Sequence, residues 1–434
     1  MTSYRCLIGV LVAVLVLSSC AGLAGAQPAK NVVIMIADGC GYNHILATNY
    51  YMSGQAQARP QQSFPVRYAM STYSLSSDGY DGEAARASFD YVKQKPTDSA
   101  AAGTALATGH KTKNGAVGVD AEGKPVQNIL EHAQGLGKAT GVVTTVQISH
   151  ATPATFVAHS AARGSYEDIA RQMILDSAVN VIMGSGNPWF DDNGQRRETP
   201  DYKFVGGQEL WDALVAGTCS PPAGAWTLVQ SRDEFRAVAA ADAPPARVVG
   251  VTQTATTAQQ ARAGATDVPL ATPRTETVPT LAEMCAAALN VLGQDPEGLV
   301  LMVEGGAVDW ANHANQTGRM MEEMNDFNDA VAEVIAWIEQ HGGWSQNLLI
   351  VTGDHETGYL MGPAGPDGKA GREIVNAGAG TVPGVGWYST GHTNSLIPVF
   401  ANGDAAELLR KYADEQDPVR GYYVDNTEVA KVMF

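Results

Sequence analysis

The chain has 434 residues, 45% of them hydrophobic, and a formal net charge of −17. That much apolar sequence can bury a large core. The acidic balance leaves no basic stripe to neutralise a phosphate backbone, which excludes nucleic acid as a partner. An anionic ligand must be attracted locally, by bound cations or an arginine, because nearby charge outweighs a diffuse, screened field.

The N-terminus reads as an export signal over residues 1–26. Arg5 supplies the positive end, Leu7 to Leu17 an apolar run too short to span a membrane, and small residues follow. Two cleavage readings stand side by side. Leu17-Ser18-Ser19-Cys20 resembles a lipobox, which would leave a lipid anchor on Cys20; Ala24-Gly25-Ala26 before Gln27 would release a soluble chain. Either places residues 27–434 outside the cytoplasm, in the periplasm, in the cell envelope or secreted. Three of the five cysteines, Cys40, Cys219 and Cys285, then remain in the body, and an oxidising compartment permits a Cys219–Cys285 disulfide.

Four apolar runs end in polar clusters. Asn31 to Ala37 leads into Asp38-Gly39, Gly141 to Val146 into Ser149-His150-Ala151-Thr152, Gly298 to Val303 into Glu304-Gly305-Gly306, and Asn347 to Val351 into Gly353-Asp354-His355. Continuous apolar runs of this length predict strands buried on both faces of a mainly parallel sheet. Between them Leu281 to Leu292 and Met320 to His341 carry apolar residues at helical spacing. The fold class is therefore α/β, a three-layer sandwich with helices on both faces of the sheet, and ligands are expected beyond the carboxyl ends of its strands. Residues 185–278, rich in Gly, Pro, Ala and Thr, read as a peripheral insertion in a single catalytic domain, with a helical hint at Ser231 to Ala240. The Gly/Pro-rich stretch from Gly362 to Gly386 is expected to border the site.

The strand ends gather Asp38, Glu304, Asp309, His313, Asp354, His355 and, further on, His392. Carboxylates with imidazoles and no thiolates suit zinc or a harder divalent ion. Asp309 and His313 are four apart, so one helical turn aims both at one ion. Crowding so many carboxylates together without cations would be costly. Ser99, followed by Ala100-Ala101-Ala102-Gly103, reads as the first residue of a tightly packed helix, whose N-terminus favours an anion, and as a nucleophile that a metal can activate. Taken singly, each of these residues is more often a cap or a turn; their convergence argues for chemistry. His44, His110, His132, His159 and His341 lack matching partners and read as structural.

Six motifs occur in the order found in alkaline phosphatases: Asp38-Gly39-x-Gly41, Asp98-Ser99-Ala100, Ala151-Thr152-Pro153-Ala154 followed by Arg163, Val303-Glu304-Gly305 with Asp309 and His313, Thr352-x-Asp354-His355, and Thr390-Gly391-His392-Thr393. The chain resembles that family over roughly residues 31 to 402. The resemblance implies a phosphomonoesterase with a phosphoserine intermediate on Ser99, acting on small phosphate monoesters. It implies one zinc held by Asp309, His313 and His392, and a second held by Asp38, Asp354 and His355 next to Ser99. A third, magnesium-like site would use Asp38, Thr152 and Glu304, with Arg163 gripping two phosphate oxygens. It also implies a homodimer. Some relatives have Asp where this chain has His150, and Lys or His where it has Trp310; His150 could draw zinc into the third site, and Trp310 brings no positive charge. A sulfatase would need Pro two residues and Arg four residues after its nucleophile, and Ala101 and Gly103 stand there instead.

Overall fold

A computed structural model describes residues 28–434. The signal segment, Cys20 and both cleavage readings lie outside the described residues, and among those residues no helix is long and apolar enough to cross a membrane.

The core is one eleven-stranded sheet. In chain order its strands are β1 (Asn31–Ala37), β2 (Val66–Ser71), β3 (Ala139–Gln147), β4 (Val181–Ser185), β5 (Thr227–Val229), β6 (Val248–Val251), β7 (Leu299–Gly305), β8 (Asn347–Thr352), β9 (Ile397–Asn402), β10 (Glu415–Asp417) and β11 (Gly421–Asp425). Across the sheet they run β10-β11-β2-β9-β8-β1-β7-β3-β4-β6-β5. From β8 to β5 every pairing is parallel; β9 lies antiparallel between β8 and β2. The four apolar runs form the centre, and each is fully buried along its length.

Alternation sorts these strands between two cores. Val32, Ile34 and Ile36 face one apolar cluster, Val33, Met35 and Ala37 the other. Cys219 belongs to the first cluster and Cys285 to the second, so they lie on opposite faces of the sheet. A disulfide bridges Cα atoms no more than about 7 Å apart, and the Cys219–Cys285 bridge that the compartment would permit is not formed: both are free, as is Cys40.

Register brings the strand ends level. Ile36 pairs with Glu304 and Thr352, and Thr144 also pairs with Glu304. Residues 185–278 contribute β5 and β6 to the edge of the main sheet and two amphipathic helices, Gln208–Val215 and Arg232–Ala239. Their short strands fall among Gly, Ala and Thr, which hid the apolar signal. The helix read as Met320 to His341 runs from Thr317 to Gln340. Leu281–Leu292 is a helix with those bounds, capped by Thr280.

None of residues 362–386 lines the cavity at Ser99. The ends of this stretch are zipped by a two-stranded pairing of Leu360–Met361 with Gly386–Trp387, and its body turns back, with Gly380 N–H donating to the Tyr51 carbonyl at 2.7 Å.

Candidate metal centre and active site

Most of the expected residues sit at or just beyond element ends. Asp38 follows β1, Glu304 closes β7, and Asp354 and His355 follow β8. Thr152 lies on the short helix after β3, and Ser99 is the first residue of the helix Ser99–Thr108. Asp309 and His313 share the helix Ala307–His313, while His392 lies on a two-residue strand paired with Glu356–Thr357. Gly39 makes the turn with φ +72°, and a Cβ there would stand 2.8 Å from Asp309 Oδ1, so the position requires glycine.

Two ligand groups form. Asp309, His313 and His392 converge, as do Asp38, Asp354 and His355, with ligand atoms of each group within 4.8 Å of one another. In the first, His313 Nε2 is 3.3 Å from Asp309 Oδ2 and 3.0 Å from His392 Nε2. In the second, His355 Nε2 is 3.3 Å from Asp354 Oδ2, 3.6 Å from Asp38 Oδ1 and 3.3 Å from Ser99 Oγ. The remote nitrogens fix the tautomers. His313 Nδ1 donates to the Thr390 carbonyl at 2.5 Å and His392 Nδ1 to the Thr97 carbonyl at 2.8 Å. Thr357 Oγ1 donates to Asp309 at 2.6 Å and accepts from His355 Nδ1 at 3.3 Å. All three imidazoles therefore turn a lone pair at Nε2 into the site, the orientation of a metal ligand.

The donor set fits divalent ions. Both oxygens of Asp38, Asp354 Oδ2, Glu304 Oε1 and Thr152 Oγ1 are buried without a hydrogen-bond partner. Buried polar atoms are otherwise satisfied, so this many orphans in one place mark cation positions. Electrostatics agree. Burial, then the charges of Asp354, Asp309 and Glu304, hold the Asp38 carboxyl well above the carboxylate range. Burial first, then neighbouring carboxylate charge, chiefly that of Asp309, pushes Glu304 and Asp354 up to about 7. Burial also pushes Asp309 up, but the His313 hydrogen bond and the neighbouring imidazoles overcome it and hold it low. In turn the Asp309 hydrogen bond raises His313 to about 9. Cations would replace this internal proton sharing.

Ser99, His150, Arg163, Asp309, His313 and His392 line a cavity of about 570 Å³. Arg163 NH1 is 3.0 Å from Asp98 Oδ2, and its NH2 lies 3.4 Å from His150 Nε2. Burial and the Arg163 charge lower His150 to about 3, so it is a neutral donor with Nδ1 unpartnered. The Trp310 ring meets it edge-on, centroids 5.8 Å apart.

A family model described as alkaline phosphatase matches residues 29–381. The chain belongs to the alkaline phosphatase family. It is 30% identical to alkaline phosphatase 3 of Bacillus subtilis, with 93% of this chain and 88% of that protein covered. The cold-active alkaline phosphatase of a psychrophilic Shewanella superposes with a TM-score of 0.67 at 25% identity, over 93% of this chain and 98% of that one. A histidine-to-aspartate variant of the alkaline phosphatase from the Antarctic bacterium TAB5, described with magnesium bound, gives 0.62 at 25% identity, over 94% and 98%. This alkaline phosphatase is thus an enzyme with the family's sheet.

Sequence reasoning missed Gln260, which lines the cavity together with Trp310 and Ala314. It lies among Gly, Ala and Thr with no motif around it, and only the fold brings it in. Asn312, whose Nδ2 donates to the Gly39 carbonyl at 3.0 Å, was equally silent. His44 is buried behind the ligands, its Nδ1 accepting from Gly41 N–H at 3.0 Å.

Proposed function

We propose that this alkaline phosphatase hydrolyses phosphate monoesters in two displacements at Ser99. Ser99 Oγ attacks phosphorus, the Oγ–P bond forms, the ester P–O bond breaks, and the alcohol leaves with a proton. Water then attacks the phosphoserine, its P–Oγ bond breaks, and inorganic phosphate departs. The observation that carries this reading is Ser99 Oγ at 3.3 Å from His355 Nε2, at a helix N-terminus and beside ligand atoms with no other partner. The serine stands where the helix dipole favours an anion.

Asp309, His313 and His392 would hold one zinc ion, and Asp38, Asp354 and His355 another. Asp38, Thr152 and Glu304 would hold a third, magnesium-like ion. Bound there, such ions supply Lewis acidity that lowers the pKa of hydroxyl groups and takes up charge on oxygen. Arg163 meets two phosphoryl oxygens with its planar fork. Thr97, Thr357 and Thr390 keep the imidazoles in register so that Nε2 remains a donor. His150 brings a neutral imidazole beside the third group; the relative with magnesium bound carries aspartate in place of a histidine, which supports a softer ion wherever the imidazole is kept. The N-terminal signal fits action outside the cytoplasm.

Hydrolysis of a chromogenic phosphate monoester at alkaline pH tests this, comparing wild type, Ser99→Ala, and chelated enzyme with zinc and magnesium restored. Activity lost on chelation, regained with metal, and down by at least about a thousandfold in Ser99→Ala is expected. Full activity in Ser99→Ala would sink the covalent route.

A further inference from the structure

Besides the groups that handle phosphate, the cavity is lined by Gln260, Trp310 and Ala314. At about 570 Å³ the cavity has the size of a small-molecule pocket (about 300–1,000 Å³), far more room than a phosphoryl group fills. What remains is space for the alcohol.

Gln260 is held for a task. Its residue is 8% exposed, and its Nε2 donates to Gln316 Oε1 at 2.8 Å. Its Oε1 makes no hydrogen bond within the described residues. The backbone on either side is pinned. Ala258 N–H donates to the Thr145 carbonyl at 2.8 Å, Thr275 N–H to Gln259 Oε1 at 3.0 Å, and the buried Arg262 guanidinium to Glu322 at 2.7 Å. These bonds hold the segment, and the Gln316 bond orients the Gln260 amide in advance, which is what selective recognition needs. Trp310 is equally fixed, because it lies between Asp309 and His313 on the ligand-bearing helix.

We infer that Gln260 and Trp310 form a leaving-group subsite for phosphate monoesters whose alcohol carries a flat ring with a hydrogen-bond donor. The ring packs on Trp310, and the donor reaches Gln260 Oε1. This rests on the phosphomonoesterase reading and adds a preference among its substrates. A hydrogen-bonding wall rejects an alcohol without the matching group, because its own polar atom is then left unpaired.

Adenosine 5′-monophosphate and ethyl phosphate are both esters of primary alcohols, so they pose the same chemistry at phosphorus with and without such a ring. The zinc- and magnesium-loaded enzyme is assayed with each, beside Gln260→Leu, which keeps the volume, and Trp310→Ala. Expected is a higher kcat/KM for the nucleotide in wild type. Gln260→Leu should lower the ratio of the two kcat/KM values by about fivefold to tenfold, chiefly through KM for the nucleotide, and Trp310→Ala should lower it too. A ratio near one in wild type, or one unmoved by Gln260→Leu while both esters are turned over, overturns the subsite and leaves the phosphatase reading standing. Turnover of neither ester by metal-loaded wild type overturns that reading itself.

Discussion

Asp98 and Arg163 are joined by a 3.0 Å ion pair, and the same carboxylate caps the helix that Ser99 begins. Asp98 Oδ1 accepts from Ala101 N–H at 3.0 Å; Oδ2 accepts from Gly115 N–H at 3.0 Å, and the Gly115 carbonyl accepts from Arg163 N–H at 2.8 Å. One side chain thus sets both the nucleophile's helix and the proposed phosphate-gripping arginine. Asp98→Asn should loosen the arginine and raise the inhibition constant for inorganic phosphate by about tenfold. Asp98→Ala should do the same and also destabilise by about 1 kcal/mol through the lost cap. Inhibition assays with urea unfolding of both variants check this; unchanged phosphate affinity in both would deny Asp98 its hold on Arg163.

Metal removal should unfold more than the activity. Asp38, Glu304 and Asp354 crowd their carboxyl groups in a buried site, with their pKa values pushed up. Ions that bind only the folded state stabilise it by about 4 kcal/mol each at a thousand times their dissociation constant. Chelation is expected to lower the melting temperature by about 10 °C or more, and zinc with magnesium should restore it. A melting curve indifferent to chelator would contradict the ligand assignment.

His150→Asp should change the metal preference. A carboxylate in place of the imidazole makes a harder donor set beside Thr152 and Glu304. Stimulation by added magnesium should rise severalfold over wild type, measured on chelated enzyme refilled with zinc alone or with both metals. Equal magnesium dependence would place His150 outside the third group's reach.

Glu323 offers a pH signature remote from the metals. Burial, with help from the Asp326 charge, pushes its carboxyl up to about 8, and its Oε1 has no partner. The folded state therefore holds a proton that the unfolded chain releases near pH 4.5. Sign follows from linkage: this raised value costs nothing below the unfolded pKa, and stability drains away as pH climbs from there to about 8. Glu323→Gln removes the penalty, so its stability advantage over wild type should grow across that window to on the order of 1–3 kcal/mol. Chemical unfolding at pH 5 and pH 8 measures it; an equal difference at both would refute the buried proton.

The centre of the fold could be read in the sequence because strands covered on both faces need unbroken apolar runs, and β1, β3, β7 and β8 have them. Of the candidate ligands, Asp38, Glu304, Asp354 and His355 could be read because they stand where those runs stop. The edge could not. β5 has three residues and β6 four, too few to show a period, and their environment is supplied by β4. Gln260 was hidden for a related reason: Arg262 and Glu322, which steady its segment, are 60 positions apart. Fixing the tautomers took the backbone carbonyls of Thr97 and Thr390, and a sequence does not announce carbonyls.

The three cysteines of the body are buried and unpaired, two of them with the sheet between them. Burial raises each thiol above its ordinary pKa, which starves it of the thiolate that reacts. Among the described residues there is therefore no disulfide for an oxidant or isomerase to form. The folded body should come through millimolar dithiothreitol unaltered and be obtainable from a reducing cytoplasm, with metal supply, in place of redox conditions, deciding the yield.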